Sequence, residues 1–384
     1  MNAGGVGDPS DAFVILERLG SGTFGSVWLA AERQSSKLVA VKVLPLDRVV
    51  GKKTGLESIR REIHVMKTCA NDCASVVRFY GSYVTPLLEA VWLVMEACEC
   101  SVLDLMGATE APLPEPALVA VAAAVTRALS YLHGEHGVIH RDVKSSNILL
   151  SHEGDPKLGD LGVATLSSNS GENIRTFVGT PLWLAPEAIS TGSYDAKVDV
   201  WALGVTAIEM AEMHPPHHSL SSVARAIFLI PTSPPPALES PAAFSAELPR
   251  FVHRCLQKDP ALRPSAKDLL SDPLIEQAPQ TARTARPPLV ELLKAARRGR
   301  THDRGGFLAE NEPLPPGLPV VNGVPSVVAG AGIGAGSKPL FREPPLVKEK
   351  SPGVGGGGGG GGGPSAAAVS TSSSSAADAA AAVS

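Results

Sequence analysis

The sequence predicts an α+β fold in which a small strand-rich part precedes a larger helical part, followed by a tail with no core of its own. Three observations carry this. Between Phe13 and Met95 apolar residues fall in short runs, Val39-Ala40-Val41, Val76 to Tyr83 and Ala90 to Met95, as strands require. From Ala117 to His133 and from Asp199 to Glu212 they fall in long Ala/Val/Leu-rich blocks, as helices buried on most sides do. Residues 278–384 are rich in Pro, Gly, Ala and Ser, with polyglycine from Gly355 to Gly363, and read as a disordered tail.

Composition narrows the setting. A chain of 384 residues holds one large or two ordinary domains, and 44% hydrophobic residues is ample for a core. A net charge of −4 gives no sign of a nucleic-acid-binding surface. The five cysteines, Cys69, Cys73, Cys98, Cys100 and Cys255, are too few and too irregular for a disulfide framework. Cys98-x-Cys100 lacks the second pair of a zinc site, so free thiols in a reducing compartment are expected. The N-terminus has no apolar signal core, and Asn2 stands where myristoylation requires glycine. Ala117 to Val125 is too short to span a bilayer, and Arg127 follows it. The expectation is a soluble, cytoplasmic protein that engages neither nucleic acid nor membrane.

Taken in order, residues 1–12 read as a disordered N-terminus, small and polar at first. Leu19-Gly20-Ser21-Gly22-Thr23-Phe24-Gly25-Ser26-Val27 holds a G-x-G-x-x-G, a weak signal alone. Because Val27-Trp28-Leu29-Ala30 looks like a returning strand, the glycines belong to a hairpin tip, where backbone N–H groups can close over phosphates. Lys42 ends the strand Val39-Ala40-Val41, either as a snorkelling edge residue or as a phosphate clamp. Leu56 to Lys67 reads as a helix with Ile59, Ile63 and Met66 on one face. Glu62 borders that face and is the natural partner for Lys42, a solvated helix carboxylate being the ordinary alternative. Arg60 and Arg61 are expected to be exposed. Two further strands lead to a connector at Glu96-Ala97-Cys98, with Met95 at the back of a nucleotide pocket.

The densest chemistry follows the Ala117–His133 helix. His140-Arg141-Asp142-Val143-Lys144-Ser145-Ser146-Asn147 runs into the apolar Ile148-Leu149-Leu150, and Asp160-Leu161-Gly162 follows thirteen residues after Asn147. Such an arrangement suits phosphoryl transfer, in which a protein mostly positions groups and neutralises charge. Asp142 can take the proton of an attacking hydroxyl, Lys144 can steady the transferring group, and Asn147 with Asp160 supplies hard oxygen ligands for Mg²⁺. Further on, a buried carboxylate at Glu187 needs a partner, and Arg263 suits it. His214, His217 and His218 lie among prolines and read as an exposed loop, not a metal site. Gly330 to Lys338 only superficially resembles a phosphate loop, since its Lys does not directly follow Gly. In the tail, Leu289, Leu292, Leu293 and Ala296 fall at helical spacing behind Pro287-Pro288. This reads as a transient, solvated helix, with a docking or regulatory segment as the alternative.

Residues 13–277 resemble a eukaryotic protein kinase domain with every signature in order, which implies a bilobal fold: N-lobe 13–96, C-lobe 101–277. Lys144 within His-Arg-Asp-Val-Lys-Ser-Ser-Asn is similar to the serine/threonine class. Val76 to Tyr83, Gly179 to Glu187, Thr206 to Glu212 and Arg225 to Pro231 resemble the sterile-20-like kinases, in the germinal-centre-kinase branch that includes Hippo. The resemblance implies ATP and Mg²⁺ as cofactors and protein hydroxyls as acceptors. ATP would meet Leu19, Gly20, Ser21, Gly22, Thr23, Phe24, Gly25 and Val27 of the hairpin, Ala40, Met95, Glu96 and Cys98, and Leu149. Lys42, paired with Glu62, would bind the α/β-phosphates; Asp142 would be the base; Asn147 and Asp160 would hold Mg²⁺. Arg141 would anchor an activation loop phosphorylated at Thr176, by an upstream kinase or by trans-autophosphorylation, while Thr180 shapes the acceptor site. Val163 would favour threonine over serine as acceptor, since its stiff β-branch leaves a notch that the threonine methyl fills.

There are departures from the family pattern. Leu161 replaces the usual Phe, and the connector Glu96 to Ser101 is one residue shorter and lacks its glycines. The C-terminal dimerising helix of the Hippo kinases has no visible counterpart. A rival reading is a pseudokinase scaffold that binds nucleotide and partners without turnover. Its mark would be loss of Lys42, Asp142, Asn147 or Asp160, and all four are present.

Overall fold

Alternation in the first hundred residues becomes a five-stranded antiparallel sheet of order β1-β2-β3-β5-β4: β1 (Phe13–Gly22), β2 (Gly25–Glu32), β3 (Leu38–Pro45), β4 (Phe79–Val84) and β5 (Ala90–Glu96). The computed structural model describes residues 9–300 apart from 23–24, 47–54, 86–89, 162–163, 167–179, 193, 221 and 279–281. Period two sorts β3 cleanly. Val39, Val41 and Val43 meet Trp28, Trp92 and Val94 on one face. Ala40, Lys42 and Leu44 point to the other, where α2 (Gly55–Cys69) packs through Ile59, Ile63 and Met66. Arg60 and Arg61 are exposed, as expected. The Val76 stretch only partly joins the sheet: Val76 makes an isolated bridge to Leu158, and β4 begins at Phe79.

After the connector, β6 (Cys100–Ser101), β8 (Ile148–Leu150) and β9 (Pro156–Leu158) form a small sheet, while β7 (Val138–Ile139) pairs with β10 (Thr165–Leu166). Helix α3 (Val102–Thr109) is closed by a capping box in which Ser101 Oγ accepts from the Asp104 N–H and the Asp104 carboxylate accepts from the Ser101 N–H. The core of this half is α4 (Glu115–Glu135), with Ala117 to Thr126 buried throughout. It is long and apolar enough to cross a membrane, but the protein itself covers that surface. The other helices of this half are α5 (Pro186–Ser190), α6 (Lys197–Glu212), α7 (Val223–Thr232), α8 (Glu247–Cys255), α9 (Ala266–Leu269) and α10 (Pro273–Glu276), of which α6, α9 and α10 pack on α4. Gly204 lets α6 approach α8: a Cβ there would stand 2.7 Å from the Cβ of Cys255.

Two expectations of disorder are corrected. Residues 9–12 form a short helix, α1 (Pro9–Ala12), because Arg33 ties it down: its Nε donates to the Ser10 carbonyl at 3.0 Å and its N–H to the Ala12 carbonyl at 2.8 Å. The ordered chain also passes Gln277, because α11 (Ala282–Arg300) lies against α3 and α4. Leu289, Leu293 and Ala296 are buried there, and Leu292 packs beside them, so the helix is seated on the fold instead of solvated. Residues 301–384 lie outside the described ones.

Candidate active site

Lys42 reaches from β3 across to the second half of the molecule. Its Nζ stands 2.7 Å from Glu62 Oε1 of α2 and 3.0 Å from Asp160 Oδ1, just beyond β9. Burial works against the Lys42 ammonium, yet the charges of Asp160 and Glu62 outweigh it and hold the group above the ordinary lysine value. The Lys42 charge is in turn the main reason that the Asp160 carboxyl is lowered to about 2. Asp160 is therefore an ionised carboxylate with half its side-chain surface open to solvent. Its φ of +57° is left-handed, a conformation Asp tolerates better than most residues. Leu161 behind it is 2% exposed and packs into the main core as an apolar plug.

The segment from His140 to Asn147 is held from beneath by two carboxylates of α6. Asp199 accepts the backbone N–H of His140 at 2.8 Å and of Arg141 at 2.7 Å, and lies 2.8 Å from His133 Nε2. Burial opposes its ionisation, but the bond and charge of His133, with His140 and the Arg141 N–H, prevail and lower its pKa. Glu209 takes the Ser145 N–H at 3.1 Å, the Ser145 hydroxyl at 2.5 Å and the Trp183 indole at 3.2 Å, and burial pushes its carboxyl up. The sequence reading gave neither acid a role. The available signal was an acid inside an otherwise apolar helix, which only a hydrogen-bonded site can accommodate.

So held, the segment presents Asp142. Its Oδ2 receives Asn147 Nδ2 at 2.8 Å and lies 2.8 Å from Lys144 Nζ. Its Oδ1 receives the Thr180 hydroxyl at 2.8 Å and the Thr180 N–H at 3.2 Å. Lys144 Nζ donates to the same hydroxyl at 2.5 Å. Asn147 Nδ2 also donates to the Asp142 carbonyl at 2.7 Å, which turns the other end of the amide, its oxygen, away from Asp142. Arg141 has a φ of +69° and its Nη1 lies 3.4 Å from the Tyr194 hydroxyl.

On the nucleotide side, Leu19, Leu29 and Ala40 form an apolar cluster joined by Val27, Met95 and Ala97. Leu149 approaches Gly159, where an added Cβ would lie 3.3 Å from it. Gly25 has no alternative residue, since a Cβ would stand 2.0 Å from the Val43 carbonyl oxygen; at Gly20 the space is open. In the connector, the Glu96 carboxylate pairs with Lys157 at 3.1 Å, and the Cys98 thiol is buried and pushed up to about 12. The Glu96 carboxylate is thus engaged by the protein itself, and the Cys98 side chain is covered by it. Thr23, Phe24, Val163 and Thr176 lie outside the described residues, as does the side chain of Ser21.

These residues fit Mg²⁺ and a nucleotide. Asp160 is held ionised and half open, Asn147 has an amide oxygen, and the apolar cluster suits a flat base. Among the described residues no group of three or more His, Cys, Asp or Glu could hold a metal ion alone. That accords with Mg²⁺, which takes one or two protein ligands and completes its shell with water and phosphate. Outside this site, Arg263 meets Glu187 at 2.6 and 3.1 Å, as anticipated, and His214 stacks on His218 at 3.6 Å.

The protein kinase domain family model matches residues 13–275. Over 274 residues the chain is 42% identical to serine/threonine-protein kinase 4 homolog B of Dictyostelium discoideum, covering 71% of this chain and 24% of that protein. Serine/threonine-protein kinase 1 of Arabidopsis thaliana is 42% identical over 285 residues, 74% of this chain and 33% of its own. Serine/threonine-protein kinase cst-1 of Caenorhabditis elegans is 41% identical over 272 residues, 71% of this chain and 52% of its own. The chain thus spans from about a quarter to about half the length of these relatives.

Proposed function

Since the chain belongs to the protein kinase family, we propose that it is an ATP-dependent serine/threonine kinase of the sterile-20-like type, acting on protein hydroxyls in a cytoplasmic signalling cascade. One observation carries this reading: a single hydroxyl, that of Thr180, rests 2.8 Å from Asp142 Oδ1 and 2.5 Å from Lys144 Nζ. A hydroxyl in that position can give its proton to Asp142 while Lys144 offsets the charge that develops beside it. Lys42, oriented by Glu62, binds phosphate oxygens, and Asn147 with Asp160 holds the metal. Mg²⁺ neutralises phosphate charge when bound. The hairpin closed by Gly25 covers the phosphates, and the Leu19–Ala40–Met95 cluster receives the base.

Regulation belongs to the same proposal. A phosphate on Thr176 adds roughly −1.5 to −2 charge, which Arg141 can pair. Val163 selects threonine acceptors over serine. The five free thiols support a reducing compartment. The direct test is turnover of a generic acceptor with Mg·ATP in Lys42→Arg and Asp160→Asn. Each should lose on the order of 10²-fold or more in rate with its fold intact. Near wild-type turnover in either would overturn the assignment and favour a scaffold.

A further inference from the structure

The connector beside the nucleotide pocket contains a carboxylate whose cationic partner comes from the far end of the described chain. Glu99 lies two residues after Ala97, which packs on the Leu19–Ala40 cluster, and its N–H donates to the Leu150 carbonyl at 2.7 Å. Its side chain is only 4% exposed. Arg297 of α11 reaches it, Nε to Oε1 at 3.1 Å, and its Nη2 also donates to the His152 carbonyl at 3.3 Å. His152 Nδ1 stands 2.8 Å from Glu99 Oε2 and 3.1 Å from Arg297 Nη2. It serves one of the two at a time, donating to Glu99 when it carries a proton and accepting from Arg297 when it does not. Arg297 is the partner whose charge is permanent.

The fold is shaped for this approach. Gly154, in the turn between β8 and β9, has a φ of +85°, and a Cβ there would lie 3.0 Å from Val290 Cγ2 and 3.4 Å from Val290 N. Leu289, Leu293 and Ala296 bury one face of α11, which places Arg297 one residue beyond the last of them.

We propose that α11 is a strap across the connector, and that Arg297 is a positioning residue that fixes the nucleotide pocket's rim through Glu99. The inference deepens the kinase reading and rests on it. The physical reason is that a buried carboxylate without a charged partner must reorganise its surroundings, and here the surroundings are the connector and the Leu149–Leu150 strand that faces it. The tail helix therefore sets nucleotide affinity, and any event that lifts it lowers that affinity.

The test uses the full chain, with calorimetric binding of the non-hydrolysable probe adenylyl imidodiphosphate with Mg²⁺, beside steady-state kinetics. Arg297→Ala should raise the probe's Kd and the KM for ATP by about three- to tenfold. Its kcat and its KM for the peptide acceptor should move less than about twofold on the same argument. Arg297→Lys should recover most of the loss. Glu99→Gln with Arg297→Ala should bind more tightly than Arg297→Ala alone, since no unpaired charge remains buried. Lys294→Ala, which removes an exposed pair with Glu291 on the same helix, should change nothing. An unchanged Kd in Arg297→Ala, or an equal change in Lys294→Ala, would overturn the proposal. Should Arg297→Ala unfold, the lysine variant and the double variant decide it. A wild type that binds the probe but transfers no phosphate would refute the kinase reading and leave the strap to be judged by Kd; one that binds no probe would refute both.

Discussion

Asp199 shows how much of the site depends on residues that touch no substrate. Two backbone N–H groups and His133 converge on its carboxylate, which is 1% exposed. Asp199→Asn puts an NH₂ where one of those donors points, and should cost about 3 kcal/mol of stability and misplace Asp142. Because its carboxyl is lowered in the folded protein, its stabilisation is complete above the ordinary carboxylate range. It is lost as pH falls through the lowered folded value, so the acid limb of stability should flatten in the variant. Chemical denaturation between neutral and acidic pH measures both effects, and an unaltered acid limb would show that Asp199 titrates alike in both states. Thiols behave oppositely. Burial pushes Cys69 up to about 11 and Cys98 to about 12, while Cys73 is only half buried. Alkylation of the native protein near pH 8 should mark Cys73 well before the others, as peptide mapping will show. At this scale the grouping of Lys42 with Glu62 and Asp160, and of Asn147 with Asp142, was legible because each is a polar residue in a distinctive local string. Asp199 and Glu209 were not, since what they hold is backbone from a segment about sixty residues away.

Among the elements, helices and strands were legible wherever their apolar period was long. β3, β5, α2 and α6 match their reading to within a few residues. The expected hairpin is also present as paired strands, β1 and β2 running together as far as Gly22 and Gly25, with Gly25 close under the Val43 carbonyl. What a single stretch cannot disclose is whether its apolar stripe has a surface to meet. Leu289, Leu292, Leu293 and Ala296 spell the same stripe whether α11 is solvated or seated, and the receiving groove is assembled from α3, α4 and the Gly154 turn. The short helix α1 escaped for the same reason, its anchor being Arg33. If α11 is part of the folded unit, Leu293→Ala should cost about 2–4 kcal/mol, the range for a buried leucine. A solvated helix would show almost no loss in the same urea titration. Gly204→Ala tests the opposite error, overfilling. With Cys255 and Leu256 atoms at 2.7 to 2.9 Å from the added carbon, about 1–3 kcal/mol should be lost through separation of α6 and α8.

The molecule as a whole is two packed halves with the chemistry on the seam. The connector joins them covalently, and a second tie runs behind the site, where Val77 N–H donates to Leu158 O at 3.0 Å and Leu158 N–H to Ser75 O at 2.8 Å. Across the front, Lys42 and Asp160 belong to opposite halves yet form one ion pair. A ligand that engages Lys42 from one half and Asp160 from the other must therefore stabilise both together. Because such a ligand binds only the folded state, at a hundredfold excess over its Kd it adds about 2.7 kcal/mol. For a folded unit of this size that corresponds to a rise in Tm of about 4–5 °C. Mg·ATP should produce that rise in the full chain. ATP with EDTA should produce clearly less, because the phosphate charge then meets the Asp160 carboxylate, ionised down to about pH 2, with no cation between them. Asp160→Asn removes that repulsion along with the metal ligand, so its shift should become insensitive to Mg²⁺ while ATP alone still binds. A wild-type shift of equal size with and without EDTA would mean that the seam does not use Asp160 to hold the metal, and that the nucleotide is held through Lys42 without tying the two halves together.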